Sequence, residues 1–215
     1  LQRMNAAVQV SLFSRPEPRT DTGESVAVPP LTELLELFEQ CWIPDWYESE
    51  RQRKEYFERG KEMLRAFYAG EEGAWRVPVV LEGGFTIQVG AYMVRGRIDR
   101  IDRCADGTVE IIDYKTGKPK QKLEARDKDQ LLLYKMAADA LPKYRTLGPA
   151  ETLTYHYLSD GSTVRFIPKP KDLEKLREKI IRVLDCIHET DFSQIGSKDM
   201  CGMCEFCLMA GKHPV

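Results

Sequence analysis

Gly96-Arg97-Ile98-Asp99-Arg100-Ile101-Asp102 is followed, beyond the turn Ala105-Asp106-Gly107, by Glu110-Ile111-Ile112-Asp113-Tyr114-Lys115-Thr116-Gly117. Residues 95 to 103 alternate polar and apolar, and residues 108 to 114 are rich in β-branched and apolar side chains. With a turn signal between them, the two runs predict a β-hairpin. Side chains alternate faces along a strand, so Asp113 and Lys115 share one face and Tyr114 points to the other. Asp99 on the partner strand can then reach the pocket that Asp113 and Lys115 line.

Two carboxylates and a backbone carbonyl make a hard, all-oxygen site that suits Mg²⁺ or Mn²⁺, with water in the remaining positions. A metal held there acidifies water and neutralises charge on a phosphate, and a nearby lysine can orient the nucleophile or stabilise the oxyanion. The plain alternative is a surface hairpin whose charges are only solvated. An Asp-X-Lys tripeptide alone does not decide between them, because it is common.

The wider pattern does more. Gly-Arg-Ile-Asp, then Ile-Ile-Asp-Tyr-Lys-Thr-Gly, then Gln130-Leu131-Leu132-Leu133-Tyr134 resembles, in order and spacing, the PD-(D/E)XK nucleases. The match is to their RecB-like branch, found alone or at the C-terminus of DNA helicases, and it extends over nearly the whole chain. The resemblance implies a restriction-endonuclease-like α/β core, a mixed β-sheet flanked by helices, with an N-terminal helical insertion. It implies that Asp99 and Asp113 are metal ligands, that the backbone carbonyl of Tyr114 completes the site, and that Lys115 is the catalytic lysine. Gln130 and Tyr134 lie one helical turn apart and face the same way; in the family such a pair helps hold the lysine and the DNA, whereas an amphipathic helix with a packed Tyr134 is the alternative. A glutamate near Glu82 often supports the family's metal site, so Glu82 is either that residue or an ordinary turn residue.

Two departures bear on function. Where the branch has a metal-ligating histidine on its first helix, this chain has Gln9; an amide oxygen can coordinate a hard cation but is a poorer ligand than imidazole for Mn²⁺. Many RecB-like nucleases also use three C-terminal cysteines and one far upstream to bind a [4Fe-4S] cluster. Cys201 and Cys204 match that spacing, but the third falls where this chain has Ala210 and not at Cys207, and the upstream cysteine is expected before residue 1. Three closely spaced thiols still point to a metal. An iron-sulfur cluster, zinc held with His213 or another ligand, and free thiols all stay open. Cys41, Cys104 and Cys186 are expected to be packing residues, and His156 and His188 structural ones.

The expected activity is that of a metal-dependent DNA nuclease, an exonuclease on single-stranded DNA or DNA ends working with a helicase in repair or recombination. The alternative is a catalytically inactive DNA-binding or scaffolding module of a helicase-nuclease complex. The chain has no Walker motif, so any ATP-driven step belongs to another part of a larger protein.

Composition agrees with an intracellular enzyme domain, and a cytoplasmic location is expected. With 215 residues, 42% hydrophobic and 31% charged, the chain can bury one good core and reads as a single domain. No apolar run is long enough to cross a membrane. Six cysteines, half of them clustered, suit metal binding in a reducing compartment better than a disulfide framework. A net charge of -2 argues only against strong non-specific binding, since a nuclease needs a local basic groove. Lys118, Lys120, Lys122, Arg126 and Lys128 form one candidate groove, and Arg95, Arg97, Arg100 and Arg103 another.

Along the chain, residues 1 to 13 read as the end of an apolar helix and 14 to 30 as a Pro-rich loop. A helical insertion spans 31 to 70, with helices at 31 to 41 and 48 to 68. The core spans 76 to 190, and residues 196 to 215 form a cysteine-rich tail. Within the core, short strands are expected at 77 to 81 and 85 to 89 with Glu82 between them, and a second hairpin at 151 to 158 and 162 to 168. An amphipathic helix at 171 to 189 is expected to turn Leu173, Leu176, Ile180, Ile181, Val183 and Leu184 inward.

Overall fold

The computed structural model describes residues 28–45, 47–71, 75–120 and 122–190. Gln9 and the triad Cys201, Cys204 and Cys207 lie outside the described residues, as does His213.

The predicted hairpin is present. Strand β1 (Val80–Val89) pairs antiparallel with β2 (Tyr92–Arg103), and β2 pairs antiparallel with β3 (Val109–Lys115). Between β3 and the next strand the chain crosses over through helix α3 (Ala125–Ala140) and the short α4 (Pro142–Arg145), the kind of connection that a parallel pair requires. It returns as β4 (Ala150–Tyr157), parallel to β3, and ends the sheet with the antiparallel β5 (Thr163–Phe166). The result is a five-stranded mixed sheet in the order β1-β2-β3-β4-β5. Before it stand two helices, α1 (Leu31–Cys41) and α2 (Glu50–Glu71), and after it α5 (Pro170–Glu189).

Packing explains the arrangement. Ile101, Ile111, Leu153, Ile98 and Val89 are fully buried in the sheet and meet Leu131, Ala137 and Ala138 of α3 and Leu176 of α5. Each such large aliphatic side chain contributes about 1.5–3 kcal/mol by leaving water. Helices α1 and α2 join through a stack of Phe38 on Phe57, centroids 5.4 Å apart, and an edge contact of Trp42 on Phe57. Gly60 permits this approach, because a Cβ there would lie 2.5 Å from the Phe38 ring. The far end of α2 reaches the sheet, where Phe67 packs on Tyr114 and His156. Among the described residues no helix is long and apolar enough to cross a membrane.

Several expectations need correction. The two short strands expected around Glu82 are one strand, β1, with Glu82 inside it at φ 50°. Its left-handed backbone interrupts the ladder between the Leu81–Arg100 and Gly83–Ile98 pairs, at the level of Asp99. Val183, expected to face inward, is 47% exposed, and Cys186 is exposed too, since the stripe of α5 that meets the core runs through Leu173, Leu176, Ile180 and Ile181. Arg100, expected in a basic groove, is buried.

Candidate active site

The ladder between β2 and β3 runs from Arg103–Val109 to Arg100–Ile112 and ends there. Beyond that point the strands part, and the Oδ2 of Asp99 accepts a hydrogen bond from the Tyr114 N–H at 3.1 Å. A carboxylate thus takes the place of the next ladder acceptor. In an extended strand the N–H and C=O of one residue point the same way, so the Tyr114 carbonyl faces this cleft as well. Lys115, one residue on, turns its carbonyl to the other neighbour and accepts from Leu158 N–H at 2.8 Å.

Asp113 is 1% exposed and lies on the helix-facing side of β3. The Lys115 Nζ is 2.6 Å from its Oδ2. That ion pair is the near contact of Oδ2, which is buried and has no other hydrogen-bond partner among the described residues. Burial, first, and the Asp99 charge push the Asp113 carboxyl above its usual range, with Lys115 acting in the opposite direction. Burial also raises Asp99, against the pull of the Tyr114 N–H and Lys115. Two neighbouring carboxylates that each resist ionisation form a site that gains from a cation.

The lysine is held from above and below. Its Nζ donates to Gln130 Oε1 at 2.6 Å, and Gln130 Nε2 donates to the Tyr134 hydroxyl at 2.8 Å. Tyr134 is buried, and its hydroxyl is pushed up to about 12, first by burial and then by the charges of Asp99 and Asp113. Below, the ring of Tyr155 lies 4.9 Å from the Lys115 Nζ, a cation-π contact. Tyr155 stands beside Asp113 in the parallel register, and its hydroxyl donates to the Asp127 carbonyl at 2.5 Å. Asp127 also accepts from the Glu124 N–H at 3.0 Å, which closes the first turn of α3 and fixes the helix that carries Gln130.

Asp99, Asp113, Lys115, Gln130 and Tyr134 therefore converge on one cleft, with the Tyr114 backbone at its edge. Glu82 stands at the same level on β1, where it is 3.4 Å from Arg97. Among the described residues no group of three or more His, Cys, Asp or Glu side chains surrounds a single point. The donor set here is two carboxylates and a carbonyl, which fits a hard divalent cation that keeps several waters. Sequence reasoning missed Tyr155, because only the β3–β4 pairing brings it under Lys115.

The charges around the cleft divide. Lys120 pairs with Asp127 at 2.6 Å, Arg126 with Glu124 at 3.2 Å, and Lys128 lies over the Phe166 ring. Lys118, Lys122, Arg95 and Arg103 are exposed.

A mixed sheet flanked by helices, parting at two carboxylates and a lysine, defines a restriction-endonuclease-like α/β fold. The model of the PD-(D/E)XK nuclease superfamily matches residues 14–209, and the chain belongs to that superfamily. Its members are nucleases, hydrolases that typically use divalent cations such as Mg²⁺. No curated protein matches the chain. The crystal structure of a protein called SSO0001 is similar at 18% identity over 86% of this chain and 93% of that one, with a TM-score of 0.37, a likeness too low to bear on the chemistry.

Proposed function

We propose that this chain is a metal-dependent deoxyribonuclease that hydrolyses phosphodiester bonds at the Asp99–Asp113–Lys115 cleft. The observation that carries the reading is the pairing of the buried Asp113 carboxylate with the Lys115 ammonium, 2.6 Å from its Oδ2, close to the charge of Asp99. Asp99, Asp113 and the Tyr114 carbonyl would hold Mg²⁺ or Mn²⁺. Such an ion, when bound, supplies an acidified water and neutralises charge on the phosphate.

The remaining work falls to the chain. The Lys115 ammonium aims a fixed positive charge at the cleft, where it meets the negative charge that develops on the phosphate oxygens. Gln130 and the Tyr155 ring hold that ammonium in place before substrate arrives, so little reorganisation accompanies reaction. Tyr134, a hydroxyl that resists ionisation, serves as a hydrogen-bonding strut for Gln130. Exposed Lys118 and Lys122, on the segment leaving β3, are placed to meet the DNA backbone.

The finer reading is an exonuclease on single-stranded DNA or DNA ends that works with a helicase in repair or recombination. It is supported by the RecB-like order of motifs. Incubation with single and double strands labelled at either end, in Mg²⁺ or Mn²⁺, tests it. Single-nucleotide products released from one labelled end support an exonuclease, internal cuts in circular DNA overturn that part, and no cleavage of any DNA overturns the activity.

A further inference from the structure

Asp99 and Arg100 are consecutive on β2, yet both hold Tyr114, from opposite sides of the sheet. Asp99 accepts from the Tyr114 N–H in the cleft. Arg100 passes to the other face, where its Nη1 donates to the Tyr114 hydroxyl at 2.9 Å. The Arg100–Ile112 pair is the last rung of the β2–β3 ladder. Tyr114 is two residues past it, so these two side chains replace the ladder bonds on the β2 side, while on the other side Tyr114 stays in register with His156 of β4.

The guanidinium is itself immobilised. Its Nε and Nη2 donate to the two oxygens of Asp102 at 2.6 and 2.8 Å, and Nη2 also donates to the Arg76 carbonyl at 3.2 Å. Asp102 is fully buried and Arg100 is 7% exposed. The Tyr114 ring is gripped in turn by Phe67 and His156, at centroid distances of 5.9 and 5.7 Å. A buried ion pair is weak evidence for stability, since apolar residues of the same volume often serve as well. Its geometry here has a definite target, the residue whose carbonyl faces the metal site.

We propose that Arg100, set by Asp102, is a positioning residue that fixes the Tyr114 backbone, and with it Asp99, for metal binding. The inference rests on the reading of the cleft as a divalent-metal nuclease site. Outer partners that orient ligands of a metal typically govern 10–100-fold in affinity or activity. Arg100 and the Tyr114 hydroxyl meet on the face of the sheet away from the cleft, so their loss acts on metal binding and leaves DNA binding alone.

The test uses the full chain, with Mn²⁺ affinity measured by calorimetry without DNA, and KM for DNA and the half-activating Mn²⁺ concentration measured in the cleavage assay. Tyr114→Phe keeps the ring and its packing and removes only the acceptor. It should weaken Mn²⁺ about tenfold and raise the half-activating Mn²⁺ by the same factor, with KM for DNA unchanged. Arg100→Lys, which also breaks the paired bonds to Asp102, should weaken Mn²⁺ at least as much, and adding Tyr114→Phe to it should weaken Mn²⁺ no further, because the hydrogen bond to the Tyr114 hydroxyl is already lost. Should Arg100→Lys not fold, Tyr114→Phe decides alone. Wild-type protein that neither binds Mn²⁺ nor cleaves DNA overturns the reading of the site. Wild-type protein that does both, with Tyr114→Phe equal to it in Mn²⁺ affinity, overturns the positioning role alone.

Discussion

Lys115 at the end of β3 and Gln130 on the second turn of α3 meet at 2.6 Å, the ammonium donating to the amide oxygen. The two residues are fifteen apart in sequence, and this bond fixes where the positive charge of the site stands. Gln130→Leu keeps the volume of the side chain and removes the acceptor. The variant should fold normally and lose about ten- to a hundredfold in kcat, with metal affinity unchanged. A steady-state assay beside Mn²⁺ calorimetry checks both halves.

Asp113 carries a conflict between stability and function. Burial and the Asp99 charge raise its folded-state pKa above the unfolded value, so the folded protein favours the protonated form. Stability from this group is present at low pH and is lost as pH rises from the unfolded pKa, about 4, through the folded one. Asp113→Asn removes that loss. Metal-free Asp113→Asn should melt above the wild type at neutral pH, by about 2–4 °C for each kcal/mol relieved in a chain of this size. Thermal melts in a chelator show it, and a lower melting temperature contradicts the account.

Glu110 behaves in the opposite way. Although buried, its carboxyl is held below the usual range, since Thr154, Arg76 and Arg165 outweigh the effect of burial. Thr154 donates at 2.5 Å, and the two arginines lie at 3.0 Å. With the folded pKa depressed, this stability is present above the unfolded pKa, about 4.3, and disappears as pH falls through the folded value. Melts between pH 3 and pH 6 should show the wild type losing more stability on acidification than Glu110→Gln. Parallel curves for the two proteins would remove Glu110 from the explanation.

Gln9, outside the described residues, is the position that the resemblance to RecB-like nucleases aligns with a metal-ligating histidine. Gln9→His should tighten Mn²⁺ and raise the Mn²⁺-dependent rate, because imidazole is the better ligand. Unchanged affinity and rate would mean that residue 9 does not face the metal.

The cysteine triad has its own check. If Cys201, Cys204 and Cys207 bind a metal, elemental analysis of anaerobically purified protein should find iron or zinc, and Cys204→Ser should lower it. Neither metal in the wild-type protein leaves free thiols.

Much of the site was legible because it is local. The Asp113–Tyr114–Lys115 alternation follows from strand periodicity, and the Gln130–Tyr134 pair from helical spacing, so each came from a short stretch of sequence. The missed features depend on pairings that no short window holds. Tyr155 reaches Lys115 only through the parallel β3–β4 register, and Arg100 leaves the surface to bond Asp102, the Tyr114 hydroxyl and the Arg76 carbonyl, partners spread over three segments of the chain. Glu82 was misread as a break between strands, since a left-handed residue looks the same in sequence whether it ends a strand or bends one.

The central claim is that Asp113 holds the metal and Lys115 serves the chemistry. Mn²⁺ calorimetry and cleavage of end-labelled DNA, run side by side on Asp113→Asn and Lys115→Ala, test it most directly. The account predicts that Asp113→Asn loses both metal binding and cleavage, whereas Lys115→Ala binds Mn²⁺ and does not cleave. Wild-type cleavage by either variant would contradict it.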